Sequence, residues 1–340
     1  MSKVVTFGEI MLRLAPNGYN RFFQNDQLLA TFGGGEANVA VSLANFGMDV
    51  DYVTKLPDNA IGQGAINNLR SFGVGVSNIV RGGDRIGIYY LEKGASQRGS
   101  VCIYDRAHSA IQEAALDDFD WDKIFEDASW FHFTGITPAL GENLVKICEN
   151  ACKAAKRRGI KISCDLNYRK KLWTKEEANK AMTKLCRYVD VCIANEEDAK
   201  DVFGIEAGKS DVYAGELDKE GYKSVASQLK EKFDFEKVAI TLRTSISAND
   251  NDWEAMLYDG DNYYFSKKYH LHIVDRVGGG DSFGAGLIYS ILNNKDMQQT
   301  IEFAVAASAL KHSIEGDFNR VSVEEVEKLA NGDASGRVQR

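Results

Sequence analysis

The feature that most constrains the fold is a regular alternation of apolar strand segments with amphipathic helical segments along most of the chain. Alternation of this kind is typical of a mostly parallel sheet with helices on both faces. Strands are predicted at residues 3–7, 50–54, 130–134, 161–165, 189–194 and 238–242. Helices are predicted at residues 38–46, 62–72, 144–158, 175–186, 197–203 and near 223–232. We therefore expect an α/β fold.

Two regions depart from this alternation. Residues 86–92 and 100–104 have the pattern of a hairpin with its turn around 94–99, and residues 10–14 are expected to join them. They predict a small β lid standing off the main sheet, with strands near 10–34 and 86–106. Residues 206–222 are charged and contain glycine, which predicts a surface insertion, and residues 331–340 are predicted to be a disordered tail. One folded domain is thus expected over residues 1–330.

The composition argues against several classes of protein. The chain of 340 residues has a net charge of −8, with acidic residues spread along it, whereas a nucleic-acid-binding protein usually shows a basic patch. No apolar run approaches the length of a membrane span, and the first residues form too short an apolar run for a signal peptide. The six cysteines lie in periodic apolar segments without the paired spacing of a zinc site. We therefore expect reduced thiols in a cytoplasmic protein.

The most informative motif is Asp275-Arg-Val-Gly-Gly-Gly-Asp281, directly before an apolar helical segment. Gly278, Gly279 and Gly280 leave a row of bare N–H groups at a helix start, where unpaired donors and the helix dipole favour a phosphate. Asp281 lies in the first turn of that helix. A carboxylate there would repel a phosphate, which makes sense if it accepts a proton from a nucleophile attacking that phosphate. The alternative is that Asp281 caps the helix, and from this stretch alone the two roles are about equal.

A second glycine cluster, Gly33-Gly-Gly-Glu-Ala-Asn38, also stands at a helix start. Without side chains at Gly34 and Gly35, a ligand can approach the backbone closely. Asn38 offers both a donor and an acceptor, as a sugar hydroxyl requires. The alternative is a tight turn with an N-terminal helix cap, which the cluster alone would favour.

One further stretch imitates a nucleotide-binding motif. Gly204-Ile-Glu-Ala-Gly-Lys-Ser210 resembles a P-loop, but three residues instead of four separate its glycines, and it follows a helix rather than a buried strand. No Gly-x-Gly-x-x-Gly follows a strand, so the dinucleotide-binding fingerprint is absent as well. Neither of these nucleotide-binding classes is predicted.

Together the two glycine clusters resemble the paired signatures of the ribokinase-like, or PfkB, sugar kinases. Two inner stretches, His132-Phe-Thr-Gly-Ile-Thr-Pro-Ala-Leu140 and Asp165-Leu-Asn-Tyr-Arg-Lys-Lys-Leu-Trp173, are similar to those of the 2-keto-3-deoxygluconate kinases. The resemblance runs from Val4 to about Leu329. It implies a central sheet with a small lid and phosphoryl transfer from ATP to a sugar hydroxyl. It also implies that Asp281 is the catalytic base and that Gly278, Gly279 and Gly280 form the anion hole.

The resemblance also points to residues that bind the sugar. They are Gly34, Gly35, Asn38, Tyr90, Tyr104, Arg106, Arg169, Asp281 and Asp317. The arginines have a physical argument of their own, since an acid sugar carries a carboxylate and a guanidinium can hold it by paired bonds. Surface salt bridges for the two arginines, and ordinary strand packing for the two tyrosines, are the alternatives.

At the ATP end, the resemblance implies a second set of residues. They are Asn195, Thr241, Arg243, Gly278 and Gly280 for the nucleotide, with Asp198 as a weak candidate for the metal. Asp198 replaces a glutamate usual in the family with a shorter carboxylate, and the glycine that usually follows Thr241-Leu-Arg243 is missing. Magnesium is implied because it neutralises phosphate charge during transfer. A monovalent cation near Asp275 follows from the resemblance alone, and the histidines are expected to be structural.

The resemblance therefore predicts ATP-dependent phosphorylation of 2-keto-3-deoxygluconate to the 6-phosphate. Alternatives within the class are a fructokinase or a kinase of another keto-deoxy sugar acid, such as the galactonate epimer. A catalytically silent sugar-binding regulator is the alternative from a different class. We expect no nucleic-acid or membrane partner, and the exposed edge of the lid allows pairing of two subunits.

Overall fold

Fifteen strands and ten α-helices form within the residues that the computed structural model describes, which are 2–195, 197–206 and 219–333. The strands are β1 (Lys3–Phe7), β2 (Met11–Ala15), β3 (Leu29–Gly33), β4 (Asp49–Val53), β5 (Lys55–Leu56), β6 (Val80–Arg81), β7 (Ile88–Glu92), β8 (Val101–Asp105), β9 (Ala128–Thr134), β10 (Lys161–Asp165), β11 (Val191–Asn195), β12 (Lys237–Ser245), β13 (Asp250–Tyr258), β14 (Tyr263–Phe265) and β15 (Tyr269–His272). The helices are α1 (Gly35–Asn45), α2 (Ala60–Ser71), α3 (Trp121–Ile124), α4 (Glu142–Arg157), α5 (Lys175–Leu185), α6 (Asp198–Phe203), α7 (Lys219–Phe233), α8 (Gly279–Leu292), α9 (Met297–Lys311) and α10 (Val323–Ala330).

The main sheet has a parallel centre. Its strands β4, β1, β9, β10, β11 and β12 lie side by side in that order, and each pairs with its neighbour in parallel. Residues 130–134 of β9 are buried without a break, as expected for a strand covered on both faces. The predicted α/β class with a mostly parallel sheet is confirmed.

Two apolar cores cover the two faces of this sheet. One face packs against α3 to α7, for example through Phe133 of β9 and Leu144 of α4. The other packs against α1, α2 and α8 to α10, where Ile193 of β11 and Phe283 of α8 belong to the same cluster. Alternate residues of a strand point to opposite faces, so a central strand such as β11 contributes to both cores, Cys192 to one and Ile193 to the other. Helices therefore lie on both faces of the sheet.

One edge of the sheet is antiparallel and was not predicted. β12 runs on to Ser245 and pairs with β13, which in turn pairs with β14 and β15. β13 begins with the polar residues Asp250, Asn251 and Asp252, so its start lacks an apolar run that would signal a strand. The helices α9 and α10 also lie outside the predicted set.

The lid is a separate four-stranded sheet in the order β3, β2, β7, β8. β7 and β8 pair in antiparallel fashion, as predicted for a hairpin, whereas β2 pairs with β7 in parallel. The antiparallel hairpin is thus one half of a mixed sheet. The four strands of the lid lie within residues 11–33 and 88–105.

Several predicted segments fall partly outside the described residues. Residues 207–218 of the predicted insertion and 334–340 of the predicted tail are among them, as are Gly208, Lys209 and Ser210 of the P-loop-like stretch. Gly204, which is described, caps the end of α6 with a left-handed φ of 68°. That conformation explains the first glycine of the stretch without any nucleotide.

Candidate active site

A cleft of about 440 Å³ opens between the lid and the carboxyl ends of the parallel strands. In sheets of this type, ligands bind at the carboxyl ends of the strands. Asp165 ends β10 and Asn195 ends β11, and both line the cleft. Of the residues predicted from the sequence for the site, only Tyr90 and Gly279 lie outside its lining.

The turn before α8 forms the floor of the cleft. Gly278 has a left-handed φ of 85°, and a Cβ atom there would lie 2.1 Å from the backbone oxygen of Asp317. A Cβ at Gly279 would lie 2.4 Å from the ring of His312, whereas a Cβ at Gly280 would meet no atom within 4 Å. The protein itself thus requires the first two glycines. Gly280 instead leaves open space above the first N–H groups of α8, which have no partner within the helix.

Asp281 faces this space from the first turn of α8. Its Oδ2 accepts a hydrogen bond of 2.7 Å from Nδ2 of Asn38. Burial raises the pKa of Asp281 to about 6, although the bond from Asn38 and the positive charge of Arg169 act in the opposite direction. The structure thus gives a carboxylate that is mostly ionised at neutral pH and gains a proton near pH 6.

Asn38, which was predicted to bind a sugar hydroxyl, lines the cleft and is also bonded to the protein at both ends of its amide. Its Oδ1 accepts a hydrogen bond of 3.3 Å from the backbone N–H of Gly34, and its Nδ2 donates to Asp281. The side chain is 2 % exposed. Both ends of the amide are therefore engaged by the protein, and Asn38 orients the carboxylate of Asp281.

The predicted arginines differ in their charge balance. Arg106 is buried, and its guanidinium binds the carboxylate of Glu9, with Nε 2.8 Å from Oε2. Arg169 follows β10, is exposed in the cleft, and donates through one nitrogen to the backbone oxygen of Tyr168 at 3.3 Å. In the described ranges, 2–195, 197–206 and 219–333, no carboxylate forms a salt bridge with Arg169. Arg169 is thus available to an anionic ligand, whereas the charge of Arg106 is already balanced.

The prediction for Tyr90 is off by one residue. Tyr89 and Leu91 of β7 line the cleft, whereas Tyr90 does not. Successive side chains of a strand point to opposite faces, so Tyr90 lies on the outer face of the lid. Tyr104 of β8 lines the cleft as predicted, and its ring lies 5.4 Å from the guanidinium carbon of Arg106.

Asp317 lines the cleft but is engaged by the protein. Its carboxylate accepts a hydrogen bond of 2.6 Å from the hydroxyl of Tyr89 and one of 2.8 Å from Arg13. Arg13 also donates to Asp275 at 2.6 Å. Neither Tyr89 nor Arg13 was predicted from the sequence. Arg13 carried a signal nonetheless, because a charged residue at an inward position of the strand Met11-Leu-Arg-Leu-Ala needs a partner.

The other end of the cleft is bounded by the ends of β11 and β12. Thr241 and Arg243 line it, and β12 and β13 form a hairpin where the family usually has a glycine-containing loop. The tip of this hairpin touches the lid, since the N–H of Ala248 donates to Ser96 at 2.8 Å and the N–H of Ser96 donates to Asn249 at 2.7 Å. The cleft is therefore bridged on this side.

Two carboxylates at this edge of the sheet could face a cation. Asp198 is buried, and its two oxygens accept backbone N–H bonds from Tyr168 and Asn195 at 3.0 and 3.1 Å. Asp165, which was not predicted as a site residue, lines the cleft, and burial and the charges of Asp198 and Asp281 raise its pKa. Among the described residues no group of three or more potential ligands could hold a metal ion by itself. Magnesium commonly uses only one or two carboxylates together with phosphate oxygens and water, so Asp165 and Asp198 fit such a site.

The surroundings of three histidines and of the six cysteines are consistent with structural roles. His132 is buried against Ser163, and burial lowers its pKa to about 3. His270 and His272 are exposed and lie next to carboxylates of β13. The six cysteines are free thiols. In the part of the chain that is described, no helix is long and apolar enough to cross a membrane.

Comparison with known proteins shows the family of the chain. Residues 1–319 match the model of the pfkB family of carbohydrate kinases. A 2-dehydro-3-deoxygalactonokinase of Haloferax volcanii is 34 % identical over 98 % of both chains. A 2-dehydro-3-deoxygluconokinase of Bacillus subtilis is 27 % identical over 96 % of this chain and 94 % of its own.

A solved structure gives a similar result. The 2-dehydro-3-deoxygluconokinase from Thermotoga maritima, whose crystal structure is solved, has 54 % sequence identity to this chain. The two structures superimpose with a TM-score of 0.93, and the match covers 97 % of this chain and 98 % of that one. With its parallel sheet, its lid and the glycine turn that ends in Asp281, the chain belongs to the pfkB family of carbohydrate kinases.

Proposed function

We propose that the chain transfers the γ-phosphoryl group of ATP to 2-keto-3-deoxygluconate, also called 2-dehydro-3-deoxygluconate, and forms the 6-phosphate. The observation that carries the choice of an acid sugar is Arg169. It is an exposed guanidinium that forms no salt bridge with a carboxylate among the described residues, and it shares one cleft with Asp281 and the glycine turn. A fork of this geometry can hold a sugar carboxylate by two bonds.

In this proposal Asp281 accepts the proton of the attacking hydroxyl. Asn38 holds its carboxylate in place at 2.7 Å. The N–H groups next to Gly280, which have no partner within α8, stabilise the negative charge of the phosphoryl group in transfer. An ionised base within about 2.6–3.2 Å of the hydroxyl oxygen is worth about 10²- to 10⁴-fold in rate.

Further residues serve the nucleotide and the metal. Asn195, Thr241 and Arg243 would bind ATP at the β12 end of the cleft, and Asp165 and Asp198 would hold magnesium on the phosphates. Magnesium neutralises phosphate charge during transfer. Tyr104 and the Arg106–Glu9 pair would form the wall of the sugar site under the lid. The six free thiols favour a reducing compartment, which we infer to be the cytoplasm.

Specific observations bear on three alternatives. The galactonate epimer differs in the direction of one hydroxyl, and the relative in Haloferax volcanii carries the name of the galactonate enzyme. A neutral sugar such as fructose would leave the guanidinium of Arg169 without a partner, which disfavours it. A silent sugar-binding regulator is disfavoured by the intact Asp281 and glycine turn.

The experiment is a coupled ADP-release assay across sugar acids, neutral sugars and nucleosides. We expect the largest kcat/KM for 2-keto-3-deoxygluconate. A larger kcat/KM for fructose would overturn the acid-sugar proposal. A larger kcat/KM for the galactonate acid would show that the preferred substrate is this epimer. Absence of sugar-dependent ADP release with any compound would favour the regulator.

A substitution of Arg169 tests the carboxylate site directly. Arg169→Ala should weaken binding of the sugar acid by about 1.5–3 kcal/mol, the scale of a hydrogen bond to a charged group. Its KM for ATP should stay the same. Arg169→Lys should recover only part of the loss, because lysine has the charge without the fork. Arg157→Ala is the matched control, since Arg157 is exposed in the last turn of α4 and does not line the cleft.

We also propose that two copies associate through the outer face of the lid. Val101 and Ile103 are exposed there by 39 and 51 %, and Tyr90 lies on the same face. Such apolar patches mark contact surfaces. Ile103→Lys should convert a dimer to a monomer in light-scattering chromatography, and a wild-type monomer would exclude the pairing.

A further inference from the structure

Four charged side chains are buried together behind the glycine turn. Arg13 comes from the lid strand β2, Lys311 from the end of α9, Asp275 from the segment before the turn, and Asp317 from the loop after α9. Their exposed fractions are 2, 0, 2 and 3 %, respectively. The two positive charges thus balance the two negative ones, and all four side chains have very little exposure to solvent.

Arg13 bridges the two carboxylates. One nitrogen of its guanidinium lies 2.6 Å from Oδ2 of Asp275, and the other lies 2.8 Å from Oδ1 of Asp317. Asp275 also accepts backbone N–H bonds from Gly316 at 3.1 Å and from Val277 at 3.2 Å. Each oxygen of Asp275 therefore already has a donor, and one of these donors carries a full positive charge.

Lys311 lies directly behind Gly278. Its Cε would be 3.1 Å from a Cβ at that position, and its ammonium donates to the backbone oxygen of Ile314 at 3.0 Å. Burial lowers the pKa of Lys311, while the charges of Asp275 and Asp317 act against that decrease. The last turn of a helix also favours a cation. The ammonium is therefore fixed between the end of α9 and the turn that binds phosphate.

A monovalent cation near Asp275, which the family resemblance implied, does not fit this arrangement. Such an ion needs carboxylate and carbonyl oxygens as ligands. Here the carboxylate of Asp275 is engaged by a guanidinium, a nearby carbonyl oxygen accepts a bond from an ammonium, and a third cation would be repelled by both.

We propose that Arg13 and Lys311 supply, as resident side chains, the positive charge beside the glycine turn, so that the kinase works without a monovalent cation. Both are positioning residues. Arg13 fixes Asp275 and Asp317, and the backbone of Asp317 packs against Gly278. Through these contacts they hold the N–H groups at the start of α8 in place. The proposal rests on the phosphoryl transfer proposed above, but it is independent of which sugar is the substrate.

The first test needs no mutation. Turnover is measured with the best substrate of the panel, with ATP as its Tris salt and magnesium present, in KCl, NaCl, RbCl or choline chloride at equal ionic strength. We expect rates within about 1.5-fold of one another and no K⁺-specific shift of the thermal unfolding midpoint, since an ion that binds the native state would raise it. A saturable K⁺-specific activation of about threefold or more, or a K⁺-specific rise of the midpoint, would overturn the proposal.

Substitutions then separate a positioning role from a purely structural one. Lys311→Met keeps the length of the side chain and removes the charge. We expect about a tenfold or larger loss of kcat in choline chloride, partly restored by KCl, because the vacated space then admits an ion. Equal losses in the two salts, or no loss, would overturn the role of Lys311.

Two further variants complete the set. Arg13→Lys should lose less turnover than Arg13→Met, since it keeps the charge but can satisfy only one of the two carboxylates. Equal losses would overturn the role of the Arg13 charge. Lys146→Met is the matched control, because Lys146 is exposed on α4 and pairs with Glu142 of the same helix. If a variant fails to fold by circular dichroism, the salt series on the wild-type protein decides the question.

Discussion

The two glycine clusters of the cleft look alike in sequence and differ in what they do. Gly33, Gly34 and Gly35 lead into α1, and Gly278, Gly279 and Gly280 lead into α8. The two helix starts meet in the cleft, where Asn38 of α1 donates to Asp281 of α8 at 2.7 Å. One cluster thus supplies the carboxylate and the other supplies the group that orients it.

The space around each glycine shows why it is a glycine. A Cβ at Gly33 would lie 2.0 Å from the carboxylate of Asp317, and a Cβ at Gly34 would lie 2.0 Å from the backbone oxygen of Glu9. These two glycines therefore allow close packing beneath the lid. A Cβ at Gly35 would meet no atom closer than 3.5 Å, and a Cβ at Gly280 would meet no atom within 4 Å. The protein does not need a glycine at these last two positions. We therefore propose that the third glycine of each cluster serves a ligand.

The largest expected effect separates the carboxylate from its support. Asp281→Asn should keep the fold and the binding of sugar, because Asn38 still has a partner, while kcat falls by about a hundredfold or more. Steady-state kinetics and circular dichroism measure both. A variant that keeps more than half of the wild-type turnover would show that Asp281 only caps its helix.

The next effect compares neighbours within the α8 cluster. Gly280→Ala should lower kcat/KM by about tenfold or more, because its methyl group enters the space above the N–H groups, with the unfolding midpoint within about 2 °C of wild type. Gly279→Ala is the matched variant, since its methyl group meets the ring of His312 and should cost about 1–3 kcal/mol of stability. Equal destabilisation by both variants would contradict the division between packing and ligand.

A third, smaller effect concerns the bond between the clusters. The pKa of Asp281 is raised to about 6 in the structure, and the hydrogen bond from Asn38 lowers it. Because the base must be ionised, kcat/KM should fall as the pH drops through about 6. In Asn38→Ala this acid limb should move to higher pH, and kcat should fall by up to about tenfold. A limb that stays in place would mean that Asn38 does not act on the carboxylate.

The sequence predicted the clusters better than the walls of the cleft. The glycines and Asp281 form contiguous motifs whose local chemistry indicates a phosphate site. Tyr90 was named through the family resemblance, whereas in the structure its neighbour Tyr89 lines the cleft, because successive side chains of a strand point to opposite faces. The pairing of Arg13 with Asp317 joins residues 304 positions apart. No local pattern contains such a pair, so only the folded chain shows it.

The smallest expected effect is at Gly35, and it tests whether the α1 cluster has a ligand position at all. A Cβ there would lie 3.5 Å from Oδ1 of Asp281 and from Cγ2 of Thr134, which is ordinary contact distance. Since Gly35 is also the first residue of α1, alanine should raise the free energy of unfolding slightly, by about 0.4–1 kcal/mol, through the smaller entropy of the unfolded chain.

The methyl group of alanine at position 35 would occupy the space in which the attacking sugar must reach Asp281. Gly35→Ala should therefore raise the KM for the sugar acid by about three- to tenfold, the cost of displacing a closely packed ligand by one methyl group. The KM for ATP should not change, because the nucleotide end of the cleft is bounded by β11 and β12. If the KM for ATP rises instead, the phosphate lies nearer to α1 than proposed. If neither constant changes, Gly280 alone of the two open glycines serves a ligand, and the likeness of the two clusters is confined to their sequence.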